Sequence, residues 1–483
     1  MDNILIFLSF LKKLLPILKG LIKNGGKPYV VGGTVRDLVL GCEIKDLDIE
    51  VHSICVENLE KVLKKFGKVK LVGKKFGVLR LGGYDIDWSL PRKDTKGRKP
   101  KVEIDPTMTI EEACRRRDLT MNAMAIDLSY FVDIDLEKKI TKKSLHKIII
   151  DPYGGLKDIQ NKKLRVVDKK LFLEDPLRFF RVMQFISRFE MEPDDDLNNL
   201  CSKMDLHDIT TNKSLAKERI FEEIKKLCLK SKRPSLGFRW LKKIERLKEI
   251  FPELYSLVDI QQRKDYHPEG NVFEHTMQSL DATAQFFDFN NDEEKFLIML
   301  GILCHDLGKS VTTDEKLSCI GHCEKGVPIC KKFLKRITNN KFLIDAVCKF
   351  VLYHTRPGRL LDEKAKPKAY KRLALKLSPQ IDMRQLALAA LFDLQGRNPK
   401  GEEPLIEKYL DRFKEFLQKS QEAQVERGPE KPVLLGRHLL DIMPPGPKMG
   451  EILKKAYQIQ IDEGIKDIEV LKDRVLREKK INK

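Results

Sequence analysis

Polar and apolar residues alternate along Asp46-Leu47-Asp48-Ile49-Glu50-Val51, which predicts a strand with Leu47, Ile49 and Val51 on a buried face and the three acids on the other. The same period recurs in Tyr84-Asp85-Ile86-Asp87-Trp88, where Asp85 and Asp87 oppose Ile86 and Trp88. Residues 56 to 66 carry a helical period instead. Residues 4 to 22 form an apolar run that Lys12, Lys13 and Lys19 interrupt and Pro16 breaks. No basic segment precedes that run, so it reads as a helix docked ahead of the first strand, not as a signal peptide or anchor. Residues 180 to 260 are helical by period. The predicted class is an α+β N-terminal region of strands mixed with helices, followed by an all-α remainder.

At 483 residues the chain exceeds what one core supports, and its 42 % hydrophobic content is enough for two to four domains. The formal net charge of +20 fits a phosphate-rich macromolecular partner bound in a salt-dependent way, with a merely solvated basic surface as the alternative. Ten cysteines without regular spacing favour reduced thiols and a cytoplasmic protein. Cys319, Cys323 and Cys330, with His322 between them, invite a zinc reading, but their spacing is not that of a Cys-x-x-Cys knuckle.

The segment Val30-Val31-Gly32-Gly33-Thr34-Val35-Arg36-Asp37 precedes the acidic strand. A glycine pair lets backbone amides approach a polyphosphate, Arg36 adds charge, and two carboxylates one pleat apart suit Mg²⁺, which takes oxygen ligands and substrate phosphates. A third carboxylate from a neighbouring strand would complete the metal site. Each piece alone is usually structural; together they describe a nucleotide-triphosphate site. The stretch resembles the signature of the nucleotidyltransferases that include class II tRNA nucleotidyltransferases (CCA-adding enzymes) and bacterial poly(A) polymerases. The resemblance implies that the Gly32-Gly33 loop with Asp46 and Asp48 holds the triphosphate and two magnesium ions. It implies Asp87 as the third carboxylate, with Asp85 as the alternative.

The run of residues 92 to 101 (RKDTKGRKPK), with six basic residues against one acidic, predicts a solvated mobile loop. In Cys114-Arg115-Arg116-Arg117-Asp118-Leu119-Thr120-Met121-Asn122-Ala123 the consecutive arginines call for carboxylates or phosphates. The block is similar to the family's Arg-Arg-Asp-Phe-Thr-x-Asn-Ala, which makes Arg116, Arg117, Asp118 and Asn122 candidates for ribose and phosphate contacts. Asp175-Pro176 reads as a helix start, and capping is the plain role of Asp175. The run Glu174 to Arg178 also resembles the family's Glu-Asp-x-x-Arg motif, which implies that Asp175 and Arg178 read the base, with Arg181 nearby. A carboxylate accepts from the exocyclic amine shared by cytosine and adenine while an arginine donates to the adjacent acceptor, so such a pair takes C and A and resists U and G. Lys217 to Ile224 resembles the family's neck block, with Glu218 and Arg219 either bracing the base pocket or forming a surface pair.

A second chemistry lies further on. Five of the nine histidines fall between 267 and 354. His275, His305-Asp306 and Asp393 follow the order of the HD phosphohydrolase superfamily, which they resemble. Imidazole with carboxylate suits a transition metal such as Mn²⁺, Ni²⁺, Co²⁺ or Zn²⁺. Lys309 can offset phosphate charge, and His322 and His354 are candidates for a second ion.

The resemblance implies a head (1-160) with a mixed five-stranded sheet, a helical neck (161-260), an HD body (261-400) and a helical RNA-binding tail (401-483). It implies CTP/ATP:tRNA nucleotidyltransfer that builds or repairs the 3′ CCA end, plus metal-dependent phosphatase and 2′,3′-cyclic phosphodiesterase activity. The implied partners are tRNA, CTP and ATP, with no membrane, in a monomer or homodimer. CC-only addition, A-only addition, poly(A) synthesis or a non-catalytic RNA-binding role are the alternatives.

Overall fold

The computed structural model describes residues 3–44, 47–72, 78–84, 86–94, 102–134, 142–207 and 215–481. Asp46, Asp85 and residues 95 to 101 of the basic loop lie outside them. The chain folds as two compact units, 1–227 with 239–246, and 228–238 with 247–483.

In the first unit helix α1 (Asn3–Lys23) buries Phe7, Leu8, Leu11, Leu14, Ile17, Leu18 and Leu21. Their spacing of three and four places them on one stripe. Pro16 does not break this helix as its sequence predicts. It lies on the exposed side, where a proline disturbs no packing, and burial of the opposite stripe offsets the roughly 3 kcal/mol it costs. No helix among the described residues is long and apolar enough to cross a membrane.

Strand β1 (Lys27–Val31) leads through Gly32 into α2 (Gly33–Leu40), then β2 (Leu47–His52) and α3 (Val56–Lys64). Strands β3 (Val69–Val72), β4 (Val78–Leu81) and β5 (Ile86–Ser89) follow. Strands β6 (Arg92–Asp94) and β7 (Val102–Ile104) pair antiparallel, so the ends of the predicted basic loop are ordered as a hairpin. After α4 (Ile110–Arg115) come β8 (Ala125–Asp127) and β9 (Ile149–Ile150). The sheet order is β3-β4-β5-β2-β1-β8-β9. The mixed sheet with helices is as predicted, but it has seven strands, not five. Strands β8 and β9, three and two residues long, are too short to show a period. Leu47, Ile49, Val51, Ile86 and Trp88 are all buried beneath the sheet, in one core with the α1 stripe. Helix α5 (Leu177–Phe189) continues the unit.

The second unit is helical. Helix α6 (Val272–Gln285) is followed by α7 (Asp292–Cys304), α8 (His322–Ile337), α9 (Lys341–Tyr353) and α10 (Met383–Gln395). After its acidic first turn α7 is apolar on every side and buried, which makes it the central helix of the bundle. Gly308 permits the closest approach: a Cβ there would lie 1.9 Å from the His322 carbonyl oxygen, so only glycine lets the start of α8 reach the turn after His305. The C-terminal helices Pro447–Glu463 and Ile468–Ile481 share a small core with Leu434 and Leu439.

Candidate active sites

The first site is built on the strand pair β2 and β5, the only parallel pairing among the described strands of its sheet. Their register sets Asp48 against Asp87, with Leu47 against Ile86 and Ile49 against Trp88. Paired residues on adjacent strands point to one face about 4.8 Å apart, so the two carboxylates are neighbours. Like charges directly opposite are destabilising, which marks the pair as a place for a cation. Arg80 supplies one positive charge: it pairs with Asp87 across β4 and donates from both arms of its fork, NH2 to Oδ2 at 3.2 Å. Glu50, predicted to share the Asp48 face, is buried, with His52 Nε2 3.0 Å from its carboxylate.

The glycine turn lies beside these acids. Thr34 Oγ1 accepts from the Asp48 amide at 3.3 Å, tying the turn to the strand. Gly32 has φ 67°, and a Cβ there would meet Arg117 NH1 at 2.2 Å. The Arg117 guanidinium therefore occupies the space that any larger residue at 32 would take. The first-turn amides of α2 have no intrahelical acceptor, which makes this end of the helix attractive to phosphate.

Arg36, Asp118 and Asn122, expected to contact the nucleotide, form a hydrogen-bonded network of their own. All three are buried. Arg36 donates to Asp37 at 2.8 Å and to Asn122 Oδ1 at 2.6 Å, and its guanidinium lies 4.8 Å from the Phe189 ring centroid. Asn122 donates to Asp118 at 2.8 Å, and Arg181 Nε donates to the other Asp118 oxygen at 2.6 Å. Burial would raise the Asp118 carboxyl, but Arg181 and Asn122 hold it well below the usual range. The network joins α2, the Thr120–Asn122 turn and α5.

Asp175 has two partners. Its Oδ1 accepts from the Leu177 amide at 3.0 Å, the capping role, and Arg219 lies 3.1 Å from Oδ2. Pro176, not Asp175, occupies the cap position itself. Arg178 donates to the carbonyls of Leu171 (2.9 Å) and Arg116 (2.7 Å), which anchors α5 to the arginine block.

The second site gathers at the ends of the second unit's helices. His275 sits in the first turn of α6, His305 caps α7, His322 opens α8, His354 caps α9, and Asp393 lies near the end of α10. His275 Nε2 is 2.9 Å from Asp393 and 3.3 Å from His305 Nε2. Asp306 is the hub: Oδ2 lies 3.2 Å from His305 Nε2 and 2.7 Å from Lys309, while Oδ1 lies 3.5 and 3.7 Å from the Nε2 atoms of His322 and His354. Both Asp306 oxygens are buried, Oδ2 held by the Lys309 ammonium and Oδ1 facing the two imidazoles. Potential ligand atoms lie within 4.8 Å of one another in three sets: His275, His305 and Asp393; His322, Cys323 and His354; and His267, Glu269 and His275. Burial would lower the His275 pKa, but Asp393 and Glu269 push it up to about 9. The centre draws positive charge strongly, and a metal ion is a natural source of it. Beside it opens a pocket of about 1050 Å³, lined by Arg263, Lys309, Lys316, Arg356, Arg359 and Arg397 among others.

Sequence reasoning missed Arg80 and Glu269, which no local motif marks. The sequence suggests Cys323 only in a zinc reading with Cys319, Cys330 and His322, whereas the structure sets it with His322 and His354.

Residues 28–165 match the Poly A polymerase head domain family, 272–383 the HD domain family, and 212–257 the family described as the probable RNA and SrmB-binding site of polymerase A. The multifunctional CCA protein of Methylobacillus flagellatus is 33 % identical over 315 residues, which is 64 % of this chain and 69 % of that one. The chain belongs to the multifunctional CCA protein family. The multifunctional CCA protein of Mannheimia succiniciproducens is 29 % identical over 384 residues, or 76 % of this chain and 84 % of that one. The fold is similar to that of the Bacillus stearothermophilus CCA-adding enzyme in complex with CTP, with TM-score 0.60 and 20 % identity over 98 % of this chain and 99 % of that one. It is also similar to the Thermotoga maritima CCA-adding enzyme complexed with tRNA-CCA, with TM-score 0.53 and 20 % identity over 97 and 95 %. The chain is a CCA-adding nucleotidyltransferase that carries an HD domain.

Proposed function

We propose that the first unit transfers CMP and AMP from CTP and ATP to the 3′ end of tRNA, building or repairing CCA. We further propose that the HD centre hydrolyses phosphomonoesters and 2′,3′-cyclic phosphates. The observation that carries the first reading is the register pairing of Asp48 with Asp87 beside the Gly32 turn. Magnesium held by Asp46, Asp48 and Asp87 would supply charge to the triphosphate and acidity to the primer hydroxyl. The α2 amides and Arg117 bind the triphosphate and orient the α-phosphorus. The primer 3′-oxygen forms the new bond to that phosphorus, and the bond to pyrophosphate breaks. Asp175 and Arg178 select the base, Arg219 holds the Asp175 carboxylate in place, and Arg116 and Arg181 support the nucleotide face. Arg36, Asp118 and Asn122 act as positioning residues.

The HD reading rests on the buried Asp306 carboxylate set among four imidazoles. A transition ion held there by His275, His305, Asp306 and Asp393 would supply Lewis acidity and lower the pKa of bound water. Lys309 and the arginines of the pocket offset the phosphate charge. Labour divides along segments 1-160 (catalytic head), 161-260 (base reading), 261-400 (hydrolysis) and 401-483 (tRNA grip).

Purified protein given tRNA lacking CCA, tRNA ending in CC, or unstructured RNA, each with single nucleotides, tests the first activity. CTP-then-ATP addition that stops after three nucleotides is expected. Addition of C alone, A alone or a long A tail would replace this reading.

A further inference from the structure

We propose that Cys323 is a thiolate ligand for a second ion in the HD centre, so that this ion is a soft or borderline transition metal; the inference rests on the phosphohydrolase reading above. His322 Nδ1 donates to the Cys319 carbonyl at 2.8 Å, and His354 Nδ1 donates to the Val351 carbonyl at 3.0 Å. A carbonyl oxygen only accepts, so in each ring the proton sits on Nδ1 and the Nε2 lone pair faces the centre. This is the arrangement in which a backbone group orients a metal-binding imidazole. The two Nε2 atoms are 3.4 Å apart, and Asp306 Oδ1 lies 3.5 and 3.7 Å from them. Cys323 Sγ is 3.5 Å from His322 Nε2 and 4.0 Å from the His354 ring at Nδ1.

The spacing between the two Nε2 atoms and that between Sγ and His322 Nε2 agree with one tetrahedral ion. Metal–nitrogen bonds of about 2.0–2.1 Å and a metal–sulfur bond of about 2.3 Å place two nitrogens about 3.4 Å apart and nitrogen and sulfur about 3.5 Å apart. Asp306, 2 % exposed, turns Oδ1 toward His322 and His354 while its Oδ2, held by Lys309, lies 3.2 Å from His305 Nε2 of the His275–His305–Asp393 set. A plain core cysteine would sit among apolar side chains, whereas Cys323 faces two imidazoles and the Thr355 hydroxyl at 3.8 Å. It also lines the large cationic pocket, which gives an ion a way in. A thiolate favours Zn²⁺ or Co²⁺ over Mg²⁺.

The test uses the full chain, stripped of metal by chelation and reloaded with Co²⁺ alone. A thiolate-to-cobalt charge-transfer absorption in the near ultraviolet is expected, lost in Cys323→Ser and kept in Cys319→Ser and Cys330→Ser. Cobalt affinity at this position should fall at least about tenfold in Cys323→Ser. The wild-type chain provides a second readout that needs no variant: bound Co²⁺ should slow alkylation of Cys323 by iodoacetamide at least tenfold, as mapped by mass spectrometry. A missing band, a band that survives Cys323→Ser, or unprotected Cys323 overturns the proposal. If the cobalt enzyme still cleaves a 2′,3′-cyclic phosphate without the band, the thiolate ligand alone falls; if cobalt is not retained and cleavage is absent, the phosphohydrolase reading falls with it.

Discussion

Asp48 and Asp87 stand directly opposite each other on the parallel strands β2 and β5, and Arg80 on β4 grips Asp87 from the far side. The pairing brings two negative charges side by side, one of them ion-paired with Arg80. Asp48→Ala is expected to lower nucleotide addition by about three orders of magnitude, since charge stabilisation by a metal contributes several kcal/mol and each factor of ten is 1.36 kcal/mol. Single-turnover CMP addition measures it, with cyclic-phosphate cleavage unchanged as the control. Loss of both activities would mean that the two chemistries are not independent.

Arg80 competes with a cation for Asp87. Both side chains are well exposed, at 59 and 39 %, so the pair contributes no more than about 1 kcal/mol. Arg80→Ala should therefore lower the magnesium concentration for half-maximal addition by up to about fivefold. A higher magnesium requirement would show that Arg80 supports the metal-bound state instead.

The Asp175–Arg219 contact holds the carboxylate that is proposed to read the base. Arg219→Ala and Arg178→Ala should each raise UTP and GTP misincorporation relative to CTP and ATP, by a discrimination loss of about 1–3 kcal/mol at most. Unchanged selectivity in Arg178→Ala would leave Asp175 as a helix cap alone.

Asp118 ties pH to the stability of the first unit. Its folded-state pKa is depressed by Arg181 and Asn122, against the raising effect of burial. Its contribution is therefore complete above the unfolded value of about 3.9 and is lost as pH falls toward the folded value. Asp118→Asn should cost about 2–3 kcal/mol at pH 7, below the range for a fully buried pair because Arg181 keeps 34 % side-chain exposure. It should also flatten the acid limb of the unfolding profile below about pH 4. Thermal unfolding followed by circular dichroism between pH 3 and pH 7, roughly the span that brackets a carboxyl titration, is the measurement. A variant as stable as wild type would remove Asp118 from the account of this face.

His305→Ala is expected to abolish cyclic-phosphate hydrolysis while nucleotide addition continues at its full rate. Continued hydrolysis would refute the HD assignment.

The period-two pattern around Asp48 and Asp87 showed which faces the acids share, because strand geometry turns alternation directly into sidedness. The glycine pair, the arginine block and the His, His-Asp, Asp order were likewise local enough to read along the chain. Nothing local could reveal that β2 and β5 run parallel in a register that makes the two acids neighbours, or that Arg80 reaches Asp87. Register depends on which strands pair, and that is settled by the core beneath them. Burial is as hidden as register: Asp118 and Asn122 look available in sequence, but both are buried and bonded to Arg181 and Arg36. Residue types at chemical spacing were decided by the sequence, whereas burial, register and the meeting of His322 and Cys323 with Asp306 were decided only when distant helices and strands closed around shared cores, because side chains far apart along the chain become partners only through packing.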